Sequence, residues 1–249
     1  MYIFPNFNLA LLEISKNIMK VSVIIPCYNE INTINKIILK IKKAFSKTNY
    51  EIIIVDDFSN DGTTKLLKNT YKKNKKIKIL YNNINLGKGA SLRKGFSESL
   101  GDIICIQDAD LEYDPIDLLP MITLIRNNSA DVVYGSRFRG NGPVRASLFL
   151  NRLANFIITT LTNIFTNLSL TDIECCYKVF KREHIQSISL IENRFGIEPE
   201  LTIKFAKLNL KIFEYGISYY GRTKDEGKKI GFVDGIRAIY CIFRYSFFK

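Results

Sequence analysis

From residue 21 onward, short β-branched runs alternate with stretches in which apolar residues recur every three or four positions. Residues 21–25, 51–55, 77–81, 102–107 and 131–134 are nearly continuous apolar runs, the pattern of strands buried on both faces. Between them, 33–45, 63–71, 89–100 and 115–126 each carry one apolar face and predict helices. Such an alternation predicts an α/β fold: a nucleotide-binding domain with a mostly parallel central sheet and helices on both faces. Ligands in sheets of this kind bind beyond the carboxyl ends of the strands, so the residues just after each strand deserve the closest reading.

The pattern changes after Gly142. Residues 148–170 are apolar, but Asn151, Asn155, Asn163 and Asn167 recur at helical spacing and define one polar face. At the other end, 232–248 mixes Phe, Ile and Tyr with Arg237 and Arg244, which suits either a membrane interface or packing on the domain. No run is long and apolar enough for a spanning helix. The expected organisation is an N-terminal extension at 1–20, a catalytic-type domain at 21–230 and an amphipathic tail at 231–249. The extension is weakly apolar, shows no small-residue cleavage site and is expected to be peripheral.

Composition narrows this only a little. The chain of 249 residues has 36 Lys and Arg against 24 Asp and Glu, a formal charge of +12. That excess favours an anionic partner such as an acidic membrane face or a phosphorylated substrate. Charge without a recognition motif gives no case for specific nucleic-acid binding. Cys27, Cys105, Cys175, Cys176 and Cys241 show no metal-ligand spacing and fit a reducing cytoplasm. The single histidine, His184, lies in a charged stretch and reads as a surface residue.

The chemistry sits where the strands end. Asp108-Ala109-Asp110 follows the run 102–107, and residues two apart on extended chain point the same way. Two carboxylates that converge repel unless a proton or a cation lies between them, and Mg²⁺ or Mn²⁺ suits such oxygen ligands. Glu112 is one further alternation along and is a third candidate ligand. Asp56-Asp57 closes the second strand, where a carboxylate can meet a ribose or a base edge. The following Asp61 fits turn and cap chemistry better. Asn85-Leu86-Gly87-Lys88-Gly89 is a glycine-rich turn opening a helix, a cradle for an anion. It lacks the spacing of a P-loop.

With Ile25-Pro26-Cys27-Tyr28-Asn29-Glu30 added, these motifs resemble, in order and spacing, the inverting family 2 glycosyltransferases of the GT-A fold. Gly135-Ser136-Arg137, Thr171-Asp172-Ile173-Glu174, Cys176-Tyr177-Lys178, Gly196-Ile197-Glu198-Pro199-Glu200 and the run 220–229 are similar to the dolichyl-phosphate mannosyltransferase-like branch. The resemblance implies transfer of a hexose from a UDP- or GDP-linked donor to a polyprenyl phosphate, on the inner face of the membrane. Transfer to a sugar hydroxyl in glycan or glycolipid assembly is the alternative. It implies donor contacts at Pro26, Tyr28, Glu30, Asp57, Lys88 and Asp108, with Arg222 and Lys228 on a loop that folds over the phosphates. Asp108, Asp110 and Glu112 become the metal ligands, where relatives often have Gln at the third position. Arg137 helps to neutralise the leaving group, and Asp172 or Glu174 orients or assists the acceptor.

Overall fold

The computed structural model describes residues 19–140, 143–146, 149–222 and 231–248. Its sheet begins with β1 (Val21–Cys27), β2 (Tyr50–Asp56), β3 (Ile77–Tyr81) and β4 (Ile103–Ile106). These alternate with helices α1 (Ile34–Ala44), α2 (Thr63–Tyr71) and α3 (Lys88–Ser97). A 3₁₀ turn at Pro115–Asp117 leads into α4 (Leu118–Arg126), because Pro115 has no N–H to give and the Asp114 side chain accepts from Ile116 N. The second half comprises β5 (Val132–Ser136), α5 (Phe149–Thr166), β6 (Lys178–Lys181), α6 (Arg182–Gln186), α7 (Ile197–Lys207), β7 (Ile212–Gly216) and α8 (Phe232–Phe247).

The seven strands are ordered β3-β2-β1-β4-β6-β5-β7. All described pairings are parallel except the two made by β6, which runs against β4 and β5. The mostly parallel sheet expected from the alternation is therefore present, with one reversed strand that the pattern did not signal. Residues 23–25, 52–55 and 103–106 are wholly buried, as their unbroken apolar character requires. β6 and β7 escape a periodicity reading for a physical reason. β6 is only four residues flanked by lysines, and β7 is a half-exposed edge strand.

Reversal of β6 decides what reaches the ligand edge. The parallel strands bring their carboxyl ends to one side of the sheet, and β6 begins on that side. Val179 pairs with Cys105 and Lys181 with Ile103. The segment 172–177, which leads into β6, is thus delivered beside the ends of β4 and β5.

The two apolar helices lie together. α8 buries Ala238, Cys241, Ile242 and Tyr245, one helical stripe, against α5 and α7. α5 turns its polar face inward: Asn155, Thr159 and Thr162 are buried, and Asn163 bonds both the C=O and N–H of Leu170. Ile158 joins them in the core, while much of the apolar face looks outward, with Phe149 at 74% and Phe156 at 64% exposure. On α8, Val233, Ile236, Phe243 and Phe247 are exposed as well, and Phe165 of α5 packs edge-on against Phe243 and Phe247. The described residues include no helix long and apolar enough to cross a membrane. All five cysteines are buried free thiols, used as small apolar groups.

Candidate active site

A cavity of about 400 Å³ opens at the carboxyl edge, lined from the β1 and β2 side by Pro26, Tyr28, Glu30, Asp57, Asn85 and Lys88. Asp108, Asp110 and Glu112 follow at the end of β4. Arg137, Glu174, Glu198, Tyr219 and Arg222 complete the far side, over β6 and β5. Eleven of the expected residues are therefore brought together: Pro26, Tyr28, Glu30, Asp57, Lys88, Asp108, Asp110, Glu112, Arg137, Glu174 and Arg222. Asp172 stands behind the wall, and Lys228 lies outside the described residues.

The glycine-rich turn is organised around an anion that belongs to the protein. Asp57 Oδ1 accepts from Leu86 N (2.9 Å) and Asn82 Nδ2 (2.7 Å), and Oδ2 accepts from Gly87 N (2.7 Å). Its carboxylate thus fixes the turn that aims Lys88. The glycines answer a different demand. Gly87 has φ +98°, and a Cβ there would stand 2.6 Å from the carbonyl oxygen of Asn193. Gly89 meets the Glu192 carbonyl in the same way, so both glycines let the 192–194 segment close against the turn.

Lys88 reaches Asp108 Oδ1 at 3.0 Å and Glu198 Oε1 at 3.3 Å. Glu198 is paired in turn with the fully buried Lys178, which also donates to the carbonyls of Ile173 and Cys175. The result is a buried chain of alternating charge running from β4 to α7. Glu198 and Lys178 were not among the expected site residues. Their signal in the sequence was a charged residue inside a run that otherwise buries: Lys178 before Val179-Phe180, and Glu198 and Glu200 at the start of an apolar helix.

Arg222 gathers the acids of the cavity. Its Nη2 lies 2.8 Å from Asp110 Oδ2 and 3.4 Å from Glu30 Oε1, and its Nε lies 3.4 Å from Glu112 Oε1. Glu112 also accepts from the Arg222 backbone N–H (2.7 Å) and the Tyr219 hydroxyl (3.0 Å), so it clamps the 219–222 segment. Burial, with the charges of Asp108 and Glu112, pushes Asp110 up to about 7. Among the described residues no three acids already form a cage for an ion. The donor set nevertheless fits a hard divalent cation: oxygen ligands only, enclosed and mutually repelling, with a guanidinium beside them where a cation is favoured.

On the far side, Asp172 is fully buried and gives both oxygens to Arg137: Nε to Oδ2 at 2.7 Å and Nη2 to Oδ1 at 2.7 Å. The Arg137 backbone N–H adds a third bond at 3.1 Å. Asp172 thus holds Arg137 by three hydrogen bonds and stands outside the cavity lining. Arg237 is also committed, to Glu192 at 3.0 and 2.8 Å, and Tyr245 donates to the same carboxylate. Glu192 thus ties α8 to the segment that packs on the glycine-rich turn.

A mostly parallel α/β sheet with paired acids beyond its fourth strand defines the class as a nucleotide-binding GT-A-type domain. Solved structures agree on the fold. Glucosyl-3-phosphoglycerate synthase from Mycobacterium tuberculosis, in complex with Mn²⁺, UDP and glucosyl-3-phosphoglycerate, superposes with a TM-score of 0.73 at 18% identity. The match covers 100% of this chain and 88% of that one. Residues 22–189 match the model of glycosyl transferase family 2, and the chain belongs to that family. Among curated relatives, a dolichol-phosphate mannosyltransferase of Pyrococcus furiosus is 30% identical over 92% of this chain. An undecaprenyl-phosphate mannosyltransferase of Micrococcus luteus is 27% identical over 87% of this chain and 90% of its own length. The chain spans 65% of the length of the Pyrococcus protein.

Proposed function

We propose that the protein transfers a hexose, with inversion, from a UDP- or GDP-linked donor to a polyprenyl phosphate at the anionic inner face of a membrane. The observation that carries this reading is a junction. A cavity of carboxylates and cations meets helices whose apolar faces look outward. Arg194, in the cavity wall, lies 3.4 Å from Asp234 of α8, and Arg152 of α5 stacks over Phe138, next to Arg137. The named polyprenyl-phosphate transferases among the relatives support the acceptor.

In this reading the nucleotide lies over the ends of β1 and β2, against Pro26, Tyr28 and Asp57, with its diphosphate at the end of β4. Asp108 and Asp110, with Glu112 beside them, would hold Mg²⁺ or Mn²⁺, which would supply positive charge to the leaving diphosphate. The Mn²⁺ and UDP of the mycobacterial relative support that choice. Lys88, pinned between Asp108 and Glu198, adds a fixed cation, and Arg222 turns from the acids to the phosphates. Arg137, held rigid by Asp172, meets the acceptor phosphate. A lipid phosphate is already anionic and attacks without a base, which suits a site whose Asp172 is spent on orientation.

A release assay across UDP- and GDP-hexoses tests this directly. Nucleoside diphosphate release is expected to depend on a short polyprenyl phosphate and on a divalent ion. Release that responds only to a sugar hydroxyl acceptor would replace the lipid reading.

Membrane attachment has its own measurement. The protein is expected to co-sediment with anionic vesicles at low salt and to detach as salt rises, because surface cations contribute about 1 kcal/mol each. Phe156→Ser with Phe247→Ser should reduce binding severalfold, as exposed apolar area is removed. Arg237 is a poor probe, since its charge is neutralised by Glu192. Unaltered protein that stays in the supernatant with anionic vesicles would sink the membrane assignment.

A further inference from the structure

Glu174 is an acid of the cavity that the reading above does not use. It lies in the cavity wall, between Asp172 and the start of β6, and its Oε1 is enclosed without a hydrogen-bond partner. Among the described residues, one other enclosed carboxylate oxygen of the cavity accepts no hydrogen bond, Glu198 Oε1, and that atom faces Lys88 at 3.3 Å. A buried polar atom left open costs stability, and one that faces a ligand cavity marks where a ligand group completes the bond.

Strand order says which group. Along the edge, β2 and β1 come first, then β4 with its paired acids, then β6. A nucleotide over β1 and β2, with its diphosphate at β4, places whatever is attached to the diphosphate next, over β6. Glu174 stands there, four residues before Lys178. We propose that Glu174 recognises a hydroxyl of the donor's hexose and is a specificity-determining residue of the transfer. This rests on the nucleotide-sugar reading and extends it.

The chemistry suits a hydroxyl better than a phosphate. Burial, and after it the charge of Glu198, pushes the Glu174 carboxyl up to about 7. A carboxyl with a proton both donates and accepts, as a sugar hydroxyl does. The cations Lys88, Lys178 and Arg137 are engaged by Asp108, Glu198 and Asp172, so none of them neutralises Glu174 by direct contact. A general base, by contrast, must be charged and within reach of the attacking group, and a lipid phosphate needs none.

Calorimetric binding with Mn²⁺ separates the roles, using the UDP- or GDP-hexose that supports release and the same nucleoside diphosphate without sugar. Glu174→Ala is expected to weaken the nucleotide sugar about tenfold, the worth of one hydrogen bond with its open partner, and the bare nucleotide by no more than about twofold. The same variant should narrow the kcat/KM ratio between epimeric hexoses. Glu174→Gln, whose amide also donates and accepts, should keep both affinities within about threefold. Equal losses for both ligands, or a lowered Tm in both variants, would make Glu174 a structural support and overturn the assignment. Retained sugar affinity with turnover lost in Glu174→Gln would make it a base and overturn it as well. A wild-type protein that binds the bare nucleotide but gains nothing from the sugar overturns this inference alone. One that binds neither brings down the donor reading too.

Discussion

Asp110→Asn is expected to lower turnover by about 10³-fold while leaving the fold intact. The residue is 7% exposed and faces Asp108, Glu112 and the Arg222 guanidinium at 2.8 Å. Asparagine has nearly the same volume, and its amide oxygen can still accept the Glu112 backbone N–H, which now reaches Asp110 Oδ1 at 3.1 Å. What the substitution removes is the negative charge. A site that must hold a divalent ion against a leaving diphosphate loses most of its electrostatic work with that charge. Removal of metal by excess EDTA should reproduce the loss, and added Mn²⁺ should restore the wild type but not the variant. Circular dichroism and Tm should match the wild type. Full turnover in excess EDTA would remove the metal from the mechanism and leave Arg222 as the cation of the site.

Asp172→Ala is expected to be costly in a different currency. Asp172 is fully buried and the Arg137 side chain is 16% exposed, and the two form a bidentate pair at 2.7 Å on each arm. Truncating one partner leaves a desolvated charge without compensation, a loss of about 3–5 kcal/mol. For a chain of this size that corresponds to a fall in Tm of roughly 10 °C. Turnover should fall by about 10²-fold as well, because Arg137 loses the contact that fixes its direction. A double variant separates the effects. Arg137→Met with Asp172→Leu removes both charges and should regain most of the lost stability. It should not regain turnover, since the cation itself is gone. A double variant with restored activity would show that the pair serves only the fold.

Much of the architecture was legible from the chain alone. A strand buried on both faces needs an unbroken apolar run, so 21–25, 51–55 and 102–107 announce themselves, and helices between parallel strands must show one apolar face. The ligand edge at the carboxyl ends of the strands then follows, and with it the neighbourhood of Asp57, Lys88, Asp108 and Asp110. All four do line the cavity. Even here the local pattern stops short of partnership. Asp57 and the glycine-rich turn are each visible in the sequence, but nothing local says that the first holds the second. That bond spans some thirty positions and depends on β2 lying beside β3.

What the tertiary structure decided is which charges meet and which faces stay open. Lys178 and Glu198 look misplaced in apolar runs until β6 and α7 bring them together, and Glu198 then reaches across to Lys88. Asp172 and Glu174 are near neighbours with similar chemistry. Their roles part because one points to Arg137 and the other into the cavity wall. Of the four asparagines expected to form one polar face, Asn155 is buried and Asn163 half-buried, while Asn151 and Asn167 are exposed, so only packing shows which polar positions turn inward. Arg237 reads as a free cation on an amphipathic tail until Glu192 is found against it. Local periodicity records how much of a residue is buried, because hydrophobic free energy depends on area and has no direction. Hydrogen bonds and ion pairs have direction and a single partner, and the partner is supplied by another part of the chain. Local pattern therefore reveals five of the seven strands, their ligand edge and the family motifs on it, and the reversed strand and the packed helices determine what each acid and cation on that edge is free to do.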